Sequence, residues 1–206
     1  MIRSLIFDLG GVIINLRYQT TIEAFSRLCG FDVSPLYTQH QQNPLFDRYE
    51  MGQISSAEFR EGMRSLLGIT CADDDIDQAW NAMLLDIPPS RVSLLQQLRD
   101  HYRLFLLSNT NEIHKAECDR IFAHTFGSEL TLSGLFDHAY YSHEVGDRKP
   151  HASIFQRVLQ DHDLDPAATL FIEDTKQHID GAIGVGLQTV HLTGGRTIHD
   201  LGLMPK

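Results

Sequence analysis

Cysteine is scarce in this chain. Cys29, Cys71 and Cys118 are odd in number and lack metal-type spacing, which excludes a disulfide framework and reads as reduced intracellular thiols without an assigned role. Long apolar runs are also missing. Leu5-Ile6-Phe7 is closed at once by Asp8, far short of a signal peptide's apolar region or a membrane span, so a cytoplasmic protein with no membrane partner is expected. Basic residues are outnumbered, 17 Lys and Arg against 27 Asp and Glu, and the net charge of −10 repels nucleic acid and anionic lipid. The eleven histidines form no pair at zinc-ligand spacing, which leaves most of them as single core or surface residues.

What is present fits an ordinary globular protein: 206 residues, 42% hydrophobic, enough for one good core and a small second domain. Short apolar runs at Leu5 to Phe7, Leu104 to Leu107 and Leu170 to Ile172, with a weaker one at Ala139 to Tyr141, read as strands. The first three are apolar on both alternating faces, as parallel strands covered on each side must be. Gln188 to Leu192 mixes polar and apolar residues and is expected nearer an edge. Helical patterns at about Glu112 to Phe126, Pro150 to Asp161 and Thr175 to Ile183 alternate with these strands, and Gly184 and Gly186 supply stop signals for the last. The result is a doubly wound α/β sheet.

From about Leu16 to Asp86 the rhythm breaks. Thr20 to Leu28, Ser55 to Leu67 and Asp75 to Leu85 carry apolar residues at three- and four-residue spacing, and Ser55 with Glu58 has the pattern of a capping box. This stretch is predicted to be a helical insert, residues 16–86, within a core formed by 1–15 and 87–206; Pro88 and Pro89 mark the return. The final segment, Gly194 to Lys206, has no clear motif.

Ligands bind an open parallel sheet at the carboxyl ends of its strands, so the residues just after each run matter most. Asp8, the pair Ser108 and Asn109, and the pair Glu173 and Asp174 stand there. Any one of them alone is more often a turn or helix cap. Together, clustered carboxylates need a cation, and hard oxygens suit Mg²⁺, which keeps open positions for water and phosphate. Lys149, fixed by the proline after it and placed at the predicted start of a helix, is suited to neutralise a phosphate beside that cluster.

The ordered segments Phe7-Asp8-Leu9-Gly10-Gly11-Val12, Leu107-Ser108-Asn109-Thr110-Asn111, Arg148-Lys149-Pro150 and Phe171-Ile172-Glu173-Asp174 resemble the haloacid dehalogenase-like hydrolase superfamily. Within it, they look like a bacterial subgroup that includes glucose-1-phosphate phosphatase. The resemblance implies a Rossmann-like core with a helical cap, and a phosphatase acting on a small phosphorylated metabolite. Asp8 would attack phosphorus to give an aspartyl-phosphate, and Ser108, helped by Asn109, would bind the phosphoryl oxygens. Lys149 would balance charge between Asp8 and phosphate. Asp8, Asp174 and the Gly10 carbonyl would hold Mg²⁺, with Glu173 at the same metal directly or through water.

One position departs from the superfamily. Most of its phosphatases carry a second aspartate two residues after the nucleophile as general acid and base, and here that residue is Gly10. Such catalysis is worth about 10² to 10⁴ in rate, which points to substrates with easy leaving groups such as sugar 1-phosphates. His40, Asp47, Glu50 and His143 are the other proton-donor candidates. A weakly active phosphate-binding regulator ranks second and a haloacid dehalogenase third, the latter having no use for the Glu173-Asp174 pair. Oligomeric state is not legible.

Overall fold

The computed structural model describes residues 1–36 and 43–204. Five strands, β1 (Ser4–Phe7), β2 (Arg103–Ser108), β3 (His138–Tyr141), β4 (Thr169–Glu173) and β5 (Gln188–His191), form one parallel sheet in the order β3-β2-β1-β4-β5. β1 therefore lies at the centre, and the chain leaves it toward β2 on one side and β4 on the other. The crevice at that reversal is where this architecture binds ligands, and Asp8 sits in it.

Strand alternation divides the core into two layers. Leu5, Phe7, Leu104, Leu106 and Ile172 point to one face, where Val92, Leu95 and Leu98 pack. Ile6, Phe105, Leu107 and Phe171 point to the other, under Ile154, Phe155, Val158 and Ile179. The sheet is buried on both sides, and its three central strands accordingly read as unbroken apolar runs. β5 is the edge strand anticipated from its mixed composition.

The insert after β1 forms a helical cap. Its described helices are α1 (Tyr18–Cys29), α2 (Pro44–Glu50), α3 (Ser56–Leu67) and α4 (Asp73–Asn81). α1 stops at Gly30 in the left-handed region, and α3 opens with the Ser55–Glu58 capping box in both directions. α2 was missed in the sequence: seven residues give too little period, although Asn43 caps it and Pro44 occupies its first turn. The predicted helix through Leu85 ends at Asn81 instead. The next residues pair with the chain leaving the core, Arg17 N–H donating to the Met83 carbonyl at 2.9 Å and Leu85 N–H to the Asn15 carbonyl at 3.0 Å. These two crossings form a narrow neck, with Leu16 bridged antiparallel to Leu84.

Beyond the neck, α5 (Pro89–Leu98), α6 (Glu112–Phe126), α7 (Ser142–Val145), α8 (Ala152–Asp161) and α9 (Lys176–Gly184) flank the sheet. Pro150 does not start α8, contrary to the sequence pattern; the Lys149–Pro150 peptide is cis and the helix begins after His151. The unassigned tail forms a short 3₁₀ turn, Ile198–Leu201, whose Ile198 is buried against the α5 side of the sheet. No helix among the described residues is long and apolar enough to cross a membrane.

Candidate active site

The loop after β1 begins as a continuation of the strand, with Asp8 N–H donating to the Ile172 carbonyl at 3.0 Å. It then folds back, the Leu9 carbonyl accepting from both Ile13 and Ile14. Gly11 lies in this turn at φ +72°, where a Cβ would come within 2.1 Å of Asp174 Oδ2. Glycine is thus required twice over, by the backbone conformation and by the close approach of the carboxylate.

Three of the predicted carboxylates meet. One ligand oxygen each from Asp8, Glu173 and Asp174 lies within 4.8 Å of the others. Lys149 is fully buried among them, and its ammonium donates to Asp8 Oδ1 and Glu173 Oε2, both at 2.7 Å. Burial opposes charge on this lysine, but Asp8 and Glu173 raise its pKa above the ordinary value, so it stays protonated. Asp8 has the opposite balance: burial first, then Glu173, raise its pKa well above the carboxylate range against the pull of Lys149. Burial, with the hydrogen bond and charge of Glu173, lifts Asp174 to about 7. A carboxylate pair held in this state without a cation favours protonation, and the donor set suits a hard divalent ion.

Glu173 is spoken for on both oxygens. Oε1 accepts from the backbone N–H groups of Asp174 and Thr175, each at 3.0 Å, while Oε2 accepts from Lys149 and lies 2.9 Å from His178 Nδ1. Burial works against its charge, yet Lys149 and His178 hold its pKa well below the usual range. Its position behind Lys149 makes it a clamp on that lysine as much as a contributor to the carboxylate cluster. His178 was not singled out in the sequence, although it lies five residues past Glu173, in the first turn of α9.

Ser108 ends β2 facing the same cavity and is 3% exposed. Asn109 is aimed differently from the expected phosphate ligand: its side chain accepts from Lys149 N–H and donates to the Lys149 carbonyl, both at 2.9 Å. This paired contact fixes the lysine's backbone. Ser142 secures the next residue, its hydroxyl accepting from Thr110 N–H and donating to the Thr110 carbonyl, both at 2.9 Å. The loop carrying Ser108 is therefore held rigidly by core residues on neighbouring elements.

The cavity, about 560 Å³, lies between core and cap. Leu16, Tyr18, Glu50, Trp80 and Met83 form its cap wall. Gly10 lines it too, but the space beside Gly10 is taken: a Cβ there would lie 2.7 Å from Leu16 Cδ1. Of the alternative proton donors, Glu50 reaches the cavity but forms an ion pair with Arg148 at 3.0 Å. Asp47 also pairs with Arg148. His143 lines a separate groove with Tyr49, Lys115 and Asp119, and His40 lies outside the described residues. His191, at the end of β5, was also overlooked; its ring Nε2 is 2.9 Å from the Asp174 carbonyl and it lines the cavity. The strand-end rule would have found it had β5 been a stronger strand.

A buried lysine bridging two strand-end acids, with a third acid beside them and a helical lid above, is an arrangement suited to hydrolase chemistry on a doubly wound fold. Residues 2–186 match the haloacid dehalogenase-like hydrolase family, and the chain belongs to it. It is 29% identical over 197 residues to D-ribitol-5-phosphate phosphatase of Bacteroides thetaiotaomicron, covering 95% of this chain and 94% of that one. Among solved structures, it resembles a HAD family enzyme of the same organism, an aspartate-to-alanine variant in complex with magnesium and inorganic phosphate. That match has a TM-score of 0.91 and 35% identity, and covers 98% of each chain. A predicted HAD-like family hydrolase from Porphyromonas gingivalis matches at TM-score 0.85 and 31% identity over 95% of this chain and 93% of that one. The substrate named among these relatives is a pentitol phosphate, so the expected glucose-1-phosphate subgroup narrows no further than phosphatases of small phosphorylated metabolites.

Proposed function

We propose that the protein is a Mg²⁺-dependent phosphomonoesterase that works through an aspartyl-phosphate on Asp8. The observation that carries this reading is the Lys149 ammonium held between Asp8 and Glu173 with Asp174 within shared metal reach. The magnesium and phosphate bound by a 35% identical relative support it, as does the activity named for the ribitol-phosphate phosphatase. Residues 1–15 and 87–206 form the catalytic core in this reading, and 16–86 the cap.

Asp8, Asp174 and the Gly10 carbonyl would hold the ion, which when bound supplies charge neutralisation between nucleophile and phosphate. Lys149 keeps Asp8 Oδ1 engaged and presents positive charge to the phosphoryl oxygens, leaving Oδ2 to attack. Ser108 hydrogen-bonds those oxygens. Asn109 acts through Lys149 by fixing its backbone, and Glu173 acts through the same lysine's ammonium while adding its charge to the metal site.

Position 10 is a glycine with Leu16 packed beside it, and with no side chain there no acid stands at that place to protonate the departing oxygen. Esters that leave readily, sugar 1-phosphates among them, should therefore turn over faster than terminal phosphates of polyols or hexoses. The test is phosphate release from a panel holding glucose 1-phosphate, glucose 6-phosphate, ribitol 5-phosphate and p-nitrophenyl phosphate, with and without chelator. Mg²⁺-dependent turnover lost in Asp8→Asn is expected. Activity that survives chelation or Asp8→Asn would refute the mechanism, and equal rates for the two glucose phosphates would refute the leaving-group preference alone.

A further inference from the structure

The Ser108-to-Asn111 segment contains one residue that the chemistry leaves unexplained. Asn111 is fully buried and caps α6, its side-chain oxygen accepting from His114 N–H at 3.0 Å. The same oxygen also accepts from the Trp80 indole at 3.3 Å, and Trp80 belongs to the cap. His114 completes the set. Its Nε2 is 3.0 Å from the Trp80 carbonyl, and a carbonyl can only accept, so Nε2 carries the proton. Nδ1 of the neutral ring must then accept from the Asn111 amide nitrogen, 3.2 Å away. The imidazole lies flat on the indole, with ring centroids 4.7 Å apart and planes at 10°. Rotating the Asn111 amide by half a turn would break three of these contacts together, so the network has one arrangement.

The neighbouring residues of this turn are occupied in the same way. Ile113 N–H donates to the hydroxyl of Tyr49 on α2 at 3.2 Å, and the Ile113 side chain packs inside the cap's own apolar cluster with Phe25, Phe59 and Trp80. Glu112 accepts from Ser56 at the start of α3. A core helix thus contributes a residue to the interior of the cap, and three cap helices make polar contacts to a single turn.

We propose that the first turn of α6, Asn111 to His114, is a permanent seat for the cap, and that Asn111 and His114 are positioning residues that act through Trp80. Trp80 forms part of the cavity wall, so the seat holds that wall at a set distance from Ser108, three residues upstream of Asn111. Cap movement then takes place about this turn, which stays covered when no ligand is bound. The inference concerns the lid and does not depend on which ester is hydrolysed.

Trp80 is the only tryptophan in the chain, so its fluorescence reports the seat directly and needs no turnover. Acrylamide quenching of Trp80 should be low, and equal within error, in the metal-free protein and in the protein with Mg²⁺ and inorganic phosphate. Strong quenching that disappears on adding them would overturn the proposal. His114→Phe keeps a ring against the indole but removes both hydrogen bonds, and should raise quenching in the ligand-free protein. It should also raise KM for p-nitrophenyl phosphate roughly tenfold, with kcat and the inhibition constant of inorganic phosphate little changed, because the core alone holds phosphate. His114→Gln, which can still donate to the Trp80 carbonyl, should recover most of that loss. A folded His114→Phe protein with unchanged KM and quenching, or with phosphate inhibition weakened as much as KM, would refute the role.

Discussion

Gly11 shows how much a single position decides. It is turned into the left-handed region, and it lies where any side chain would collide with Asp174. Gly11→Ala should cost about 1 to 2 kcal/mol of stability from backbone conformation alone. The loss of kcat should be far larger, on the order of 100-fold, because Asp174 must move away from Asp8. Parallel melting curves and kinetics at saturating Mg²⁺ check this; an activity loss no greater than the stability loss predicts would show that Asp174 tolerates displacement. Glu173→Gln tests the other side of the site. It keeps the shape but halves the negative charge facing Lys149, and breaking one partner of a buried ion pair typically costs about 3 to 5 kcal/mol. The variant should melt lower and turn over slowly even when the metal is saturating, and a wild-type kcat would rule out the clamp on Lys149.

At the scale of elements, the strands were legible because burial on both faces leaves a run with no polar interruption, as in Leu104 to Leu107. The site residues were legible for a related reason: Asp8, Ser108, Glu173 and Asp174 each stand where such a run stops. What the sequence hid were contacts between elements. Nothing in the spacing of Asn109 and Lys149 announces that a side-chain amide on one loop grips the backbone of the other, 40 residues away. Trp80 and His114 read as ordinary core residues of two separate amphipathic patterns until α4 and α6 are placed side by side. The helix end at Asn81 was missed because the apolar spacing continues through Leu84 and Leu85, whose partners are set by the neck and not by the helical period.

For the whole molecule, the seat between cap and core gives stability a dependence on acidity. Burial pushes the pKa of His114 down to about 4 from the ordinary 6.5. The folded protein therefore binds fewer protons here than the unfolded chain between those two values. The stabilisation is complete above pH 6.5, declines as pH falls, and levels off below about 4, having lost roughly 3 kcal/mol from this group. Urea midpoints measured from pH 4 to 7 should fall more steeply in the wild type than in His114→Phe, whose difference curve isolates this one residue. Parallel curves would mean that His114 already accepts a proton in the fold.

Leu16 gives the neck a second consequence. The residue that bridges the two crossings of the chain also fills the place beside Gly10 where an acid would stand. Making room for a carboxylate there means shifting the end of the Leu16 side chain, at the point of the neck where the Leu16 backbone is bridged to Leu84. The place for an acid and the entrance to the lid thus meet at one side chain, and a variant carrying an acid at position 10 must also repack the neck.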